Sequence, residues 1–275
     1  MIQFITDSSA DLPKEIIEQY NIHVVPLNIS VNNEDYLEGV DISPQKFFQK
    51  MFTSTNLPKT SQPSPSSFSE IFSKISKDDE ALCFTISSGL SGTYQSACLG
   101  KDLSNSNVTI FDTLGGSLGH GIQILNAAQL AAEGLPLDKI IEKLKEYRSE
   151  MNILILLNTL ENIVKGGRLS KFQGSVAKIF DIKVLLEGVE GKVEILEKIR
   201  GKKKFLQRVL DMIGDRKQDF SDTTFGITHV DNLKDAEFLK NEIMKRYNPK
   251  DIIINYMGAT MATYAGKGGM IISFL

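Results

Sequence analysis

The sequence predicts an α/β protein of two α/β domains, with a mostly parallel sheet in the N-terminal domain and a mixed sheet with a β-hairpin in the C-terminal domain. Short apolar segments of strand length alternate with segments of helical periodicity, a pattern typical of parallel sheets covered on both faces. In the second half, two apolar runs flank Glu190-Gly191, which predicts an antiparallel hairpin. Because the alternation starts again near residue 153, we place the domains at residues 1–155 and 156–275.

The N-terminal domain is predicted from its apolar runs and helix signals. The predicted strands are residues 2–6, 24–31, 81–86 and 108–111. A first helix is predicted near Asp11 and Pro13, because Asp is a suitable cap and Pro suits a first turn. Further helices are predicted at residues 43–52, 91–103, 117–133 and 137–150. Residues 57–67 are rich in Pro, Ser and Thr and are predicted to form a loop.

The same criteria give the elements of the C-terminal domain. The predicted strands are residues 153–157, 183–186, 193–199, 224–228, 252–256 and 270–274, of which the second and third form the hairpin. Helices are predicted at residues 202–213 and 233–247. Residues 262–269 predict a Gly-rich turn that carries a hydroxyl and a cation.

The composition excludes several classes of function. The 275 residues carry a formal net charge of −3, so the basic excess that drives nucleic-acid binding is missing. Cys83 and Cys98 have no C-x-x-C neighbour, so neither a disulfide framework nor a zinc site is expected. The N-terminus lacks a signal-peptide pattern, and the uncharged residues 113–132 contain four glycines and are interpreted as a buried helix. We expect a cytoplasmic protein without a transmembrane segment, and a transient membrane contact stays open.

Polar clusters follow the predicted strands of the N-terminal domain, where open α/β sheets bind ligands. The clusters are Thr6-Asp7-Ser8, Thr60-Ser61-Gln62-Pro63-Ser64, Ser87-Ser88-Gly89-Leu90-Ser91-Gly92-Thr93 and Asp112-Thr113. Gly89 and Gly92 allow main-chain N–H groups to approach a ligand closely, and a helix N-terminus favours an anion. Several clusters at one sheet edge therefore favour an anion site, although helix capping by Ser and Thr is an alternative that needs no ligand.

A second signal is Lys165-Gly166-Gly167-Arg168. Two glycines before an Arg give the backbone freedom to aim one guanidinium, whose forked donors suit a carboxylate or a phosphate. A surface salt bridge of Arg168 is the alternative.

Motifs of known catalytic chemistry do not occur in the sequence. Residues 89–93 are not G-x-S-x-G because position 93 is Thr, and no phosphate-binding G-x-x-x-x-G-K-[ST] occurs. The three histidines, His23, His120 and His229, are isolated and interpreted as structural. Asp7 and Asp112 are interpreted as holders of loop N–H groups and hydroxyls rather than as acids or metal ligands. We therefore expect a protein that is not an enzyme and holds no metal or cofactor.

Taken in order, the motifs resemble the DegV family of bacterial fatty-acid-binding proteins. The matching pieces are Thr6-Asp7-Ser8 with Asp11-Leu12, Thr60 to Ser64, Ser87 to Ala97, Asp112-Thr113 and Lys165-Gly166-Gly167-Arg168-Leu169-Ser170. The serine-rich loop and the G-G-R element are specific together, and the match extends over nearly the whole chain.

The resemblance implies an acyl tunnel between or within two α/β domains, with a long-chain fatty acid as the bound ligand. It implies that a partner, the catalytic subunit of a fatty acid kinase, phosphorylates the bound acid, and that the acyl phosphate feeds phospholipid synthesis. The ligand-binding residues expected from it are Thr60, Ser61, Ser91, Gly92, Thr93, Arg168 and Tyr264. The supporting residues expected from it are Thr6, Asp7, Ser8 and Asp112.

The sequence departs from the family at its C-terminal turn, which often reads His-x-Gly-Pro-Gly. Here Tyr264 stands where the His would be, and Lys267 stands where the Pro would be. A tyrosyl hydroxyl still donates a hydrogen bond to a carboxylate, but it does not change charge near neutral pH as His does.

Two other functions and a docking surface complete the expectations. A hydrolase or phosphotransferase of small anions would need a general base near Ser91, and a binding module for another lipid is the other alternative. A local basic cluster predicts the surface that docks the kinase, with a solvated hairpin end and helix start as the alternative. It comprises Lys198, Arg200, Lys202, Lys203, Lys204 and Arg208.

Overall fold

The computed structural model describes residues 2–76, 78–169 and 182–275. The elements of the first half are, in chain order, β1 (Ile2–Asp7), a 3₁₀ turn (Ser8–Ala10), α1 (Lys14–Gln19), β2 (His23–Val25), β3 (Asn28–Val31), β4 (Glu34–Leu37), α2 (Pro44–Thr53), β5 (Lys59–Ser61), α3 (Pro65–Phe72), β6 (Glu80–Thr85), α4 (Thr93–Ser104), β7 (Val108–Asp112), α5 (Leu118–Ala132) and α6 (Leu137–Glu150). The second half contains β8 (Asn152–Leu157), α7 (Glu161–Lys165), β9 (Ile182–Val189), β10 (Lys192–Arg200), α8 (Lys202–Arg216), β11 (Thr224–His229), α9 (Leu233–Tyr247), β12 (Asp251–Tyr256), α10 (Ala259–Ala265) and β13 (Met270–Phe274).

The strands of the first half form a parallel sheet and a small antiparallel one. The parallel sheet has the order β2-β1-β6-β7, so the carboxyl ends of β1, β6 and β7 meet at one edge. The antiparallel sheet has the order β4-β3-β5. It places Thr60 opposite Ile29.

A mixed six-stranded sheet forms the second half, in the order β10-β9-β8-β13-β11-β12. β11 and β12 run parallel and the other neighbours are antiparallel. The expected α/β architecture, with a parallel sheet in the N-terminal part and a mixed, hairpin-containing sheet in the C-terminal part, is confirmed. The two large sheets divide between β7 and β8, and a domain boundary at residue 155 stays a prediction.

The apolar strand β8 lies at the centre of the second sheet and contributes to two cores. Its side chains alternate between the two faces, as they do in any strand. Ile153, Ile155 and Leu157 pack into a cluster that also contains Ile29 and Phe47 of the first half. The other face of the strand packs with α8 and α9. The first of these cores therefore joins the two halves of the chain.

The structure corrects the prediction of one strand over residues 24–31. This segment is divided between β2 and β3, which belong to different sheets. Pro26 lies at the break, and Pro has no N–H group to donate to a sheet ladder.

The prediction of a loop over residues 57–67 is also wrong in part. The segment contains β5 and the start of α3, which Ser64 caps through its hydroxyl and which has Pro in its first turn. Phe68 and Phe72 lie one turn apart and are fully buried, so packing of these two rings stabilises a serine-rich helix. The predicted turn at residues 262–269 likewise begins within α10.

Candidate functional site

A cavity of about 370 Å³ lies where the two halves of the chain meet. Its apolar lining comprises Leu27, Ile86, Leu90, Ile155, Leu157, Ile163, Val193, Met261, Ala265 and Ile271. Its polar lining comprises Thr60, Ser61, Gln62, Ser91, Gly92, Arg168, Thr260 and Tyr264. A cavity that is apolar over most of its wall and carries a few converging polar groups is typical of a small-molecule site.

Tyr264 and Thr60 meet in this cavity although 204 residues separate them in sequence. The Tyr264 hydroxyl and Thr60 Oγ1 are 2.6 Å apart and share a hydrogen bond. The Tyr264 ring also lies close to the backbone of Gly166, where a Cβ atom would come within 2.4 Å of Cε1 of the ring. A residue with a side chain at position 166 would therefore displace the ring.

Arg168 also lies against the Tyr264 ring. Its guanidinium carbon is 5.0 Å from the centroid of the Tyr264 ring, within cation–π range. Arg168 Nε donates to the Leu90 carbonyl at 3.3 Å, and one terminal nitrogen donates to the Gly166 carbonyl at 2.6 Å. Within the described part of the chain, these contacts are to carbonyl oxygens and a ring, not to a carboxylate. The salt-bridge alternative is therefore not what the structure describes.

Ser91 and Gly92 form the wall beside Leu90. Ser91 Oγ lies 2.9 Å from Thr93 Oγ1, and the Thr93 N–H group donates to Ser91 Oγ at 3.4 Å. Ser91 thus has a weak contact with the first residue of α4 as well as a place in the cavity. A Cβ atom on Gly92 would come within 2.0 Å of Gln62 Oε1, so the glycine lets Gln62 lie against the loop.

Carboxylates at the strand ends hold the loops around the cavity. Asp7, at the end of β1, accepts from Ile86 N at 2.8 Å and from Ser9 N and Oγ. Asp112, at the end of β7, accepts from Ser88 N at 3.2 Å and from Leu114 N. Burial raises the pKa of Asp7 from 3.8 to about 6, although the hydrogen bonds from Ser9 and Ile86 lower it.

Thr6 and Ser8 do not line this cavity. Thr6 is buried, with Oγ1 2.9 Å from His120 Nε2, and burial lowers the pKa of His120 to about 3. Ser8 Oγ accepts from Leu27 N and donates to Glu38. Thr6, Asp7 and Ser8 instead border a second cavity of about 420 Å³, whose lining also includes Gly258 and Ala259 at the start of α10.

Two further buried carboxylates meet at the start of α10. Asp11 accepts from Gly258 N at 2.8 Å and from Ser117 Oγ, and Glu38 accepts from Thr260 N and Oγ1, both at 2.7 Å. A Cβ atom on Gly258 would lie 2.6 Å from an oxygen of each carboxylate, so glycine is required where they converge. Burial raises the pKa of both groups, and the charge of Glu38 raises that of Asp11 further.

The comparison with known families covers the full length of the chain. The model of the DegV family matches residues 1–275. The chain belongs to the DegV family. A DegV domain-containing protein of Clostridium acetobutylicum is 34% identical over 249 residues, which cover 90% of this chain and 89% of that protein.

Solved structures of DegV proteins superpose on nearly the whole chain. A DegV family protein from Thermus thermophilus, described for its fatty acid binding, gives a TM-score of 0.93 at 29% identity and covers 99% of this chain and 98% of its own. DegV from Bacillus subtilis, described as a fatty acid binding protein, gives a TM-score of 0.90 at 27% identity, with 99% and 98% covered.

The structure brings most of the expected ligand-binding residues to one place. Six of the seven line the first cavity: Thr60, Ser61, Ser91, Gly92, Arg168 and Tyr264. Thr93 is fully buried beneath Ser91 and does not line it. The last residue of the matching DegV motif, Ser170, lies outside the described residues.

The sequence analysis missed Gln62 and Thr260 as lining residues, and it missed Glu38 altogether. Gln62 and Thr260 were both detectable in principle. Gln62 lies within the polar cluster Thr60 to Ser64, and Thr260 lies two residues before the predicted turn at 262–269. Glu38 follows a run of exposed hairpin residues, and no local signal marks it as buried.

Within the three described ranges, no group of His, Cys, Asp and Glu side chains is arranged to hold a metal ion. Among the helices that the structure describes, none is both long and apolar enough to cross a membrane.

Proposed function

We propose that this DegV protein binds a long-chain fatty acid in the first cavity, with the carboxylate among Thr60, Ser91, Arg168 and Tyr264. The proposal is supported by the way in which the polar side chains that line the cavity contact one another in succession. Thr60 bonds to Tyr264, Tyr264 lies against Arg168, and Arg168 bonds to Leu90 beside Ser91. The hydroxyls and the guanidinium thus form one cluster against an otherwise apolar wall.

The energetics favour an amphiphile with a long chain. Each buried CH₂ contributes about 0.8 kcal/mol, so about fifteen of them contribute on the order of 12 kcal/mol before the costs of binding. A carboxylate entering such a site needs donors, because an unpaired buried charge is strongly unfavourable. The cluster offers hydroxyl donors and a cation for this purpose, and the descriptions of the Thermus and Bacillus proteins agree with it.

The second part of the proposal is that the protein presents the carboxylate to a separate kinase. Of the described residues that line the cavity, Arg168 and Tyr264 are the ionisable ones, so the lining is suited to holding an anion rather than to proton transfer at neutral pH. The resemblance to the DegV family, from which the kinase is inferred, also implies that the acyl phosphate feeds phospholipid synthesis. We further propose that the protein acts in the cytoplasm.

The binding proposal is tested by titrating hexadecanoic acid into the wild-type protein and into Arg168→Ala, with circular dichroism to check the fold. The variant is expected to bind more weakly than the wild type by about tenfold or more, because a hydrogen bond to a charged group contributes about 1.5–3 kcal/mol. Arg246→Ala is the matched control, since Arg246 pairs with Glu242 and Asp211 away from the cavity. Equal affinity of Arg168→Ala and wild type would remove Arg168 from the site.

The kinase proposal is tested with ATP-Mg²⁺ and the fatty acid, with and without a cognate kinase. Acyl phosphate is expected only when the kinase is present. Acyl phosphate made by this protein alone, or ester hydrolysis abolished by Ser91→Ala, would contradict the carrier function.

A further inference from the structure

Glu38 is a buried acid at the end of an exposed hairpin. Its side chain is only 5% exposed, whereas Glu34 and Asp35 on the same hairpin are exposed. A buried carboxylate is costly unless donors compensate it. Burial raises the pKa of both Glu38 and Asp11, and the charge of Asp7 raises both further.

The first set of donors to Glu38 comes from the start of α10. Thr260 donates its N–H group to Oε1 and its hydroxyl to Oε2, both at 2.7 Å. Thr260 lines the ligand cavity, and Tyr264 follows it one helical turn later, about 6 Å along the axis. The two bonds therefore fix the helix that carries Tyr264.

The second set of contacts ties Glu38 to Leu27 on another wall of the cavity. The Glu38 N–H group donates to the Leu27 carbonyl at 3.0 Å. Ser8 Oγ accepts from Leu27 N at 3.0 Å and donates to Glu38 Oε2 at 2.6 Å. Leu27 directly precedes β3, whose Ile29 lies opposite Thr60 in the small sheet.

These contacts place one carboxylate between the two segments that supply the Thr60–Tyr264 hydrogen bond. One segment is α10 with Tyr264, and the other is the small sheet with Thr60. The second cavity is bordered by Ser8, Glu38 and Gly258. Glu38 thus borders the second cavity and does not line the first, whereas its partner Thr260 does line the first.

We propose that Glu38 is a positioning residue for the head-group end of the fatty-acid cavity, holding the Thr60 and Tyr264 hydroxyls in register through Leu27 and Thr260. The inference rests on the proposed fatty-acid binding and adds a residue that acts without touching the ligand. Its consequence is selective. Loss of Glu38 disturbs recognition of the carboxylate and leaves the apolar wall formed by Ile155, Leu157 and Ile271 in place.

The test compares hexadecanoic acid with its methyl ester, which has the same chain but no charge. Glu38→Gln is expected to weaken binding of the acid by about tenfold, because a displaced Thr60 or Tyr264 hydroxyl no longer donates its hydrogen bond to the carboxylate. Binding of the ester is expected to stay unchanged. Asp35→Asn is the matched control, because Asp35 is an exposed acid of the same hairpin. It is expected to bind both probes as the wild type does.

Ser8→Ala provides an independent test if Glu38→Gln does not fold. Ser8 borders the second cavity and not the first, and its loss cuts the link from Glu38 to Leu27 N. The same selective loss for the acid is expected. An equal loss of affinity for the acid and the ester would show that Glu38 only stabilises the fold and would overturn the proposal. Unchanged affinity for both would overturn it as well. A wild-type protein that fails to bind hexadecanoic acid would contradict the proposed function itself.

Discussion

Replacing Tyr264 by Phe removes one hydroxyl from the polar end of the cavity and leaves the ring in place. The ring packs against both Gly166 and Arg168, and Phe keeps both contacts. Since the lost hydroxyl lies 2.6 Å from Thr60 Oγ1, the variant loses a donor to the carboxylate and the orientation of the Thr60 hydroxyl.

The size of the effect follows from these contacts. Loss of one hydrogen bond to a charged group costs about 1.5 kcal/mol, because Thr60 remains as a donor, and this corresponds to about tenfold in Kd. Tyr264→Ala is expected to cost more, since it also removes the cation–π contact, worth about 0.5–1 kcal/mol, and leaves a gap beside Gly166.

Isothermal titration with hexadecanoic acid measures both variants. Tyr247→Phe is the matched control, because the Tyr247 hydroxyl donates to the Leu210 carbonyl at 2.6 Å in the opposite core. That variant is expected to lose thermal stability and keep its affinity. A Tyr264→Phe protein that binds as tightly as the wild type would refute the assignment of the tyrosyl hydroxyl to the head group.

Three further changes test other parts of the structure. Gly166→Ala is expected to weaken fatty-acid binding without unfolding the protein, because the added methyl displaces the Tyr264 ring; unchanged affinity contradicts this. Asp7 has a pKa raised from 3.8 to about 6, so its protonated form stabilises the fold below pH 3.8 and this contribution is lost as pH rises through about 6. Relative to Asp7→Asn, the wild type is expected to lose about 3 kcal/mol of unfolding free energy across this window, and a pH-independent difference in denaturant unfolding contradicts the assignment. Lys203→Glu is expected to slow association with the kinase most strongly at low salt, whereas Lys74→Glu on the first half is not; equal on-rates contradict docking at the basic cluster.

The fold was largely predictable because its strongest signals are local. The apolar strands β6, β7, β8 and β13 and the hairpin of β9 and β10 appear directly as apolar runs with a turn signal between them. Errors arose where tertiary packing decides the conformation.

The segment of residues 57–67, which was predicted to be a loop, illustrates such an error. Its serines favour a loop by composition, but burial of Phe68 and Phe72 one turn apart stabilises a helix there. The short helices α7 and α10 were missed for a different reason, because their periodicity extends over too few residues to be detected.

The residues alone indicated an anion site with Thr60, Ser91 and Arg168, whereas the fatty acid and the place of Tyr264 were predictable only through the resemblance to the DegV family. Thr60, Ser91 and Tyr264 lie far apart in sequence, and no periodicity connects them. Burial of Glu38 depends on donors from Ser8 and Thr260, and such a long-range arrangement leaves no trace in the local pattern around an acidic hairpin.

Mass spectrometry of an organic extract of the purified protein tests directly whether the first cavity holds a fatty acid. We expect close to one long-chain fatty acid per protein molecule, and much less from Arg168→Ala and Tyr264→Ala prepared in the same way. A phosphorylated metabolite or another class of lipid in stoichiometric amount, or an equal fatty-acid content in all three proteins, would contradict this expectation.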